Sequence, residues 1–317
     1  MVTAVEADAR PAAGRPASIP VLATVAAYGQ AARSARAAGA RVGVVPTMGA
    51  LHAGHRALIE RAAHECDVVV VTLFVNPTQF GETSDLDHYP RPFEADLDVA
   101  AAAGASFVFA PSDAEMYPEG LRSDALPADL AALAGRLEGA SRPGHFAGVA
   151  TVVPRLLAPA GPCHAYFGEK DFQQLALVRR LVRGLALPVE VVACETVREP
   201  DGVALSSRNV RLSPEERAAA VTLSQSLRAG REALAGGAKE PSAVEAAMAA
   251  VFAAEPLADL DYAALVRADN LEPVSRLEPG VPLRLLVAAT VGPVRLIDNL
   301  DPRGPLPATL SGRRPVR

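Results

Sequence analysis

Apolar residues fall in short runs separated by Ala-rich stretches, and this spacing predicts alternating strands and helices. Val25–Ala38 reads as a helix because it is rich in Ala, the best helix former, with Gly39 just past its end. Val42–Val45 reads as a strand that Pro46 ends, since proline has no N–H to donate. Helix Arg56–Glu65 leads to Val68–Phe74, a run of the kind buried on both faces of a parallel sheet. Downstream come helix Phe93–Ala103, strand Ser106–Phe109, helix Leu126–Leu137 and a Gly-containing loop at Ser141–Gly148. Helix Val149–Leu157, kinked at Pro154, strand Ala165–Phe167, helix Phe172–Leu185 and strand Val189–Cys194 follow. Strands alternating with helices mean an α/β fold, a parallel sheet with helices on both faces. Ligands of such sheets sit at the carboxyl ends of the strands.

The pattern changes after Cys194. Pro200-Asp201-Gly202 is a turn signal. Ser213-Pro214-Glu215-Glu216 is a capping box opening a helix that runs to about Ala235, and Ser242-Ala243-Val244-Glu245 repeats the box. Leu260–Arg267, Leu283–Val291 and Val294–Ile297 read as strands, the last two joined as a hairpin across Gly292-Pro293. Two helices before an antiparallel set predict a smaller C-terminal α+β domain. The expected division is a disordered tail at 1–18, a first domain at 19–196, a second at 197–300 and a disordered tail at 301–317.

Composition narrows the function classes. Half of the 317 residues are hydrophobic, enough for a sizeable core. A net charge of −5 with no long Lys/Arg block argues against a nucleic-acid surface. Cys66, Cys163 and Cys194 form no Cys-x-x-Cys pair, which suits reduced thiols in the cytoplasm. Met1–Pro20 lacks the apolar core of a signal peptide, and no run approaches the ~20 apolar residues of a membrane span.

The densest chemistry lies in VGVVPTMGALHAGHRALI, residues 42–59. Gly49 allows a tight passage, and His52 and His55 stand at the mouth of the helix that follows. A strand, a loop and a helix N-terminus form an anion site, where two imidazoles can each give an N–H to a phosphate oxygen. The alternative is two surface histidines at a helix start. Neither Gly-x-Gly-x-x-Gly nor Gly-x4-Gly-Lys-Ser/Thr is present, so phosphate binding rests on this turn. Asn76–Phe80 and Gly168–Gln174 also follow strands, which places three candidate segments at one end of the sheet.

The His-x-Gly-His tetrad resembles that of class I aminoacyl-tRNA synthetases and nucleotidylyltransferases. Together with Phe74–Phe80, Arg142–Phe146, Phe167–Gln174 and Ser206–Asn209, in this order and spacing, it closely resembles the pantoate–β-alanine ligase family over residues 19–300. The resemblance implies a Rossmann-like ATP-binding domain, a C-terminal lid domain and a homodimer. It implies the reaction of pantoate, β-alanine and ATP to pantothenate, AMP and diphosphate through a pantoyl adenylate. It assigns His52, His55 and Lys170 to catalysis, and Met48, Gly54, His55, Gly168, Lys170, Asp171, Ser206, Ser207 and Arg208 to ATP. Gln79, Gln174, Asn76 and Phe167 fall to pantoate, with Tyr89 near that pocket, while Arg142 and His145 cap the triphosphate site from their loop. Magnesium is expected to accompany ATP. Asp96 resembles an acidic position near that ion, but its neighbour is Ala95, so no protein ligand is assigned. Some residues have a second reading: Asp171 as an ordinary N-cap, Asn76 as a plain turn residue, Met48 and Phe167 as core. A nucleotidylyltransferase and a non-catalytic nucleotide-binding module are the competing functions.

Overall fold

The computed structural model describes residues 19–81 and 86–310; the expected tail at 1–18 and residues 311–317 lie outside them. Strands β1 (Val21–Leu22), β2 (Val42–Thr47), β3 (Val68–Leu73), β4 (Phe107–Phe109), β5 (Cys163–Gly168) and β6 (Val189–Cys194) form one sheet, ordered β1-β4-β3-β2-β5-β6. All its pairings are parallel. The order reverses at β2, with β3 on one side and β5 on the other. That is the switch point where a crevice opens beyond the carboxyl ends. The runs Val68–Val71 and Val42–Val45 are largely buried because helices cover both faces.

Strand β2 does not stop at Val45: it continues through Pro46 to Thr47, in register with β3 along its length. Thr47 turns its N–H and C=O toward β3, to the Thr72 hydroxyl and the Phe74 N–H. Pro46 therefore faces the β5 side, where pairing ended at Val44, so its missing N–H breaks no ladder bond. This parting of β2 from β5 is the start of the crevice.

A second sheet is antiparallel, ordered β7-β8-β9, from Ala258–Arg267, Leu283–Val291 and Val294–Leu300. Helices Val221–Ala235 and Pro241–Ala250 cover it and close a second core around Leu227, Met248, Leu265 and Leu285. Val266, Leu271 and Leu286 point the other way, into the core beneath the parallel sheet.

Several boundaries differ from those the sequence suggests. The Ser141–Gly148 loop is mostly helical: a turn at Glu138–Ser141 and helix His145–Leu157 leave three linking residues, with Gly144 at φ +83°. The helix expected at Leu126–Leu137 spans Ala128–Ala134 and ends at Gly135. The helix expected from Pro214 to Ala235 breaks at buried Ala219–Ala220, where tertiary packing overrides helix propensity. Ser242 is not a cap: Pro241 takes the first helical position and puts Glu240 at the N-cap. Residues 301–310, expected in a disordered tail, are ordered, because Leu310 packs into the second core and Arg231 donates to the Gly304 carbonyl.

Candidate functional site

The turn after β2 is wound tightly, with Gly49 at φ +80° and Ala50 at +51°. Asp96, 3% exposed on helix Phe93–Ala102, holds it: Oδ2 accepts from the Ala50 N–H at 2.9 Å and Oδ1 from Leu51 at 2.7 Å. Both carboxylate oxygens of Asp96 thus fix the backbone of this turn. The helix begins at Ala53, three residues earlier than expected, because the histidines cap it. His52 Nδ1 accepts from the Gly54 N–H at 3.1 Å, and His55 Nδ1 faces the His52 N–H at 3.4 Å. Gly54 is required here, since a Cβ would stand 2.8 Å from the His52 ring. Nitrogens that accept backbone protons leave the ring hydrogens on Nε2, so both imidazoles are donors toward the cavity. Burial above all lowers both affinities for a proton, His55 to about 3, and the Lys170 charge works in the same direction. Neutral rings are the forms present at neutral pH.

Beyond β3, Asn76 is 1% exposed and fully spent inside the protein. Its Nδ2 donates to Gln79 Oε1 and the Gly148 carbonyl, both at 3.2 Å, and its Oδ1 accepts from Thr78 and Tyr117. With its carbonyl oxygen so held, Gln79 turns its NH2 toward the cavity beside Met48 Sδ. His145 faces the Gln79 main-chain carbonyl through Nδ1 at 2.9 Å and Arg142 through Nε2 at 3.4 Å. Burial and the Arg142 charge lower its affinity for a proton to about 4.

Strand β5 delivers Phe167 and Gly168, then a 3-10 turn at Glu169–Asp171. Phe167 serves both readings, packing in the core and lining the cavity. A Cβ on Gly168 would meet open space, so the cavity passes over it. Asp171 stands at the N-cap of helix Phe172–Gly184 but makes no capping bond; its carboxylate lies 3.6 Å from Lys170 Nζ. Burial raises the Asp171 pKa, yet the Lys170 and Arg208 charges, with Arg142, outweigh it and hold the pKa below the ordinary carboxylate value. The adjacent glutamines part company: Gln173 is buried and bonded to Glu138, Leu133 and Arg136, whereas Gln174 faces the cavity. From the far side, Ser206 caps the 3-10 turn Ser207–Arg211, and Ser207 meets the Tyr89 hydroxyl.

Every site residue expected from the sequence lines one cavity of about 230 Å3, which joins a wider cleft of about 940 Å3 between the two sheets. Lys170, Arg142 and Arg208 outnumber Asp171 and Glu195 along its wall, a balance suited to a polyphosphate. Among the described residues, no three His, Cys, Asp or Glu side chains converge on a metal site. Sequence reasoning missed the supports. Asp96 reads from the sequence as an acidic position near magnesium and not as the brace of the turn after β2, and Tyr117 lies in no motif. Asp298 and Asn299 also escaped notice, although two buried polar residues closing an apolar strand are a signal of buried bonding.

Comparisons with known proteins agree with the fold. The family described as pantoate-beta-alanine ligase matches residues 20–301. The pantothenate synthetase of Rubrobacter xylanophilus is 51% identical over 268 residues, 83% of this chain and 92% of that relative. The crystal structure of pantothenate synthetase from Thermus thermophilus superposes with a TM-score of 0.81 at 46% identity, covering 90% of this chain and 99% of that one. The pantoate-beta-alanine ligase of Francisella tularensis, solved with Beta-gamma ATP and beta-alanine, gives 0.73 at 32% identity, covering 91% and 99%.

Proposed function

The chain belongs to the pantoate–β-alanine ligase family, and from that premise we propose that it condenses pantoate with β-alanine at the expense of ATP. A carboxylate needs a better leaving group than oxide before an amine can displace it. Pantoate attacks the α-phosphorus and expels diphosphate; the β-alanine amine then attacks the acyl carbon of the pantoyl adenylate and expels AMP. The protein's work is positioning and charge stabilisation.

One observation carries the reading. Two neutral imidazole donors, a lysine and two glutamine amides converge on one cavity at the switch point of the sheet. His52 and His55 point Nε2–H at phosphate oxygens, and Lys170 supplies a compact cation where the diphosphate departs. Ser206, Ser207 and Arg208 hold the triphosphate from the side of the second sheet, and Asp171 steadies Lys170. Met48, Gly54 and Gly168 shape the nucleotide wall. Gln79 binds pantoate by donating from its NH2, and Gln174 by an amide that both donates and accepts, which suits a carboxylate and hydroxyls. Phe167 packs against its apolar part. Asn76, with its amide spent, holds Gln79 and does not touch the substrate.

Magnesium enters with ATP as part of that substrate, bound through phosphate oxygens and water. The second sheet and its helices, residues 197–300, act as a lid on the 19–196 unit. Three unpaired, buried cysteines support a cytoplasmic enzyme, and the family resemblance supports a homodimer that takes small-molecule substrates without a nucleic-acid or membrane partner. Sedimentation tests the dimer. Incubation with ATP, pantoate and β-alanine tests the function: AMP, diphosphate and pantothenate appear together. A dinucleotide product would instead mark a nucleotidylyltransferase, and no turnover a binding module.

A further inference from the structure

A lysine stabilises a departing phosphate only if the chain that carries it is fixed. Lys170 lies in the short turn Glu169–Asp171, and that turn receives no side-chain cap from its own helix. Its support comes from the antiparallel sheet. Asn299 on β9, 2% exposed, donates through Nδ2 to two successive carbonyls, Glu169 at 2.9 Å and Lys170 at 2.7 Å. Its Oδ1 accepts from Arg284 Nε at 2.7 Å. Arg284 reaches the Glu169 carboxylate at 2.9 Å and lies 4.2 Å over the Phe172 ring. Arginine is only a donor, so its bond fixes which way the Asn299 amide is turned. Behind it, Arg198 and Asp298 form a bidentate ion pair in which both side chains are 2% exposed, and Arg198 also donates to the Asn299 carbonyl.

We propose that Asn299 is a positioning residue for the reaction: from the second sheet it clamps the Lys170 main chain, so that the ammonium stands where diphosphate charge develops. The proposal rests on the phosphate role given to Lys170 above. The chemistry selects asparagine. One NH2 group satisfies both carbonyls, and one oxygen faces the guanidinium. A carboxylate would keep the arginine bond while setting an anionic oxygen against two carbonyl oxygens. Because the clamp belongs to β9, the seating of the second sheet sets the position of Lys170. A misplacement near 1 Å costs on the order of 100-fold in rate.

The test uses Asn299→Asp, which is isosteric, and Asn299→Ser, which removes the reach without adding charge. Both are made in the full chain and in the Lys170→Ala background. Single-turnover adenylate formation is measured at saturating ATP and pantoate, beside the unfolding midpoint of each protein. The clamp predicts a loss of about 10- to 100-fold in the wild-type background, with pantoate KM nearly unchanged. It predicts little further loss once Lys170 is gone, because coupled residues are not additive. Equal losses in both backgrounds would mean that Asn299 serves stability alone and would overturn the proposal. So would a folded Asn299→Asp enzyme that runs at the wild-type rate. A Lys170→Ala enzyme as fast as wild type would instead sink the lysine reading itself, and the clamp with it; that parent is measured separately, so the two failures are distinguishable.

Discussion

In the proposed reading, Lys170 and the cavity histidines His52 and His55 divide the electrostatic work between a fixed cation and neutral donors. Negative charge on the α-phosphate and departing diphosphate grows toward the transition state, so a fixed ammonium helps most at that moment. Lys170→Ala should slow adenylate formation roughly 100- to 1,000-fold, as removal of one such contact does. Lys170→Arg should recover part of the loss, because a planar fork fits a point-charge site poorly. Single-turnover kinetics on mutants with unchanged circular dichroism decide it, and a rate within about threefold of wild type would return Lys170 to the solvated surface. His145 carries a pH prediction. Its folded pKa of about 4 lies below the ordinary 6.5, so between those values the unfolded chain binds a proton that the native protein refuses. Stability is therefore complete above pH 6.5 and falls as pH drops toward 4, by up to ~1.4 kcal/mol per pH unit from this group. His145→Asn keeps a donor for the Gln79 carbonyl but does not titrate. Urea unfolding across that window should show a slope shallower by one proton, and an unchanged slope would remove His145 as the source.

At the scale of elements, the loops after β2, β3 and β5 line the cavity, and helix packing sets their positions. Gly148 shows this most directly. A Cβ there would stand 2.5 Å from the Thr78 carbonyl and 2.6 Å from Gln79 Cα and N. Gly148→Ala should push the Pro77–Gln79 turn aside, destabilise the protein by about 1–3 kcal/mol and raise the pantoate KM more than that of ATP. Steady-state kinetics with both substrates varied would show equal, unchanged KM values if the turn were not held by this contact. Much of this layer was legible in the sequence. The strand–helix alternation led to the parallel sheet, and Leu283–Val291 matches its strand end to end. Short motifs after strands led to the cavity residues. What stayed hidden depends on three-dimensional neighbours. Pro46 looked like a strand end because the sequence cannot say that its missing N–H faces an unpaired side. Gly144 and His145 looked like loop because burial of His145 and Phe146 is a tertiary property. The capping role of the histidines was missed because imidazole is not among the usual capping side chains.

Across the whole molecule, the two sheets are joined by polar bonds as well as by apolar packing. Arg295 on β9 bonds Glu138 beside the cavity and Asp261, which sits at the irregularity in β7. Tyr262 also donates to Glu138. Arg198, on the chain entering the second unit, pairs with Asp298. Arg198→Leu should cost about 3–5 kcal/mol, since it leaves a buried carboxylate uncompensated. The double variant Arg198→Leu with Asp298→Leu should lose less, and urea unfolding compares them. Equal losses would mean that the arginine matters for packing alone.

The central claim is that this cavity activates pantoate as an adenylate before any amine arrives. Positional isotope exchange tests it most directly, using ATP with heavy oxygen in the bridge between the α- and β-phosphorus. With pantoate present and β-alanine withheld, diphosphate forms, rotates and returns, so label should move from the bridge to non-bridging positions, and the movement should need pantoate. A preparation that makes pantothenate when β-alanine is added, yet shows no movement of label without it, would contradict a reversible adenylate and the role assigned to His52, His55 and Lys170.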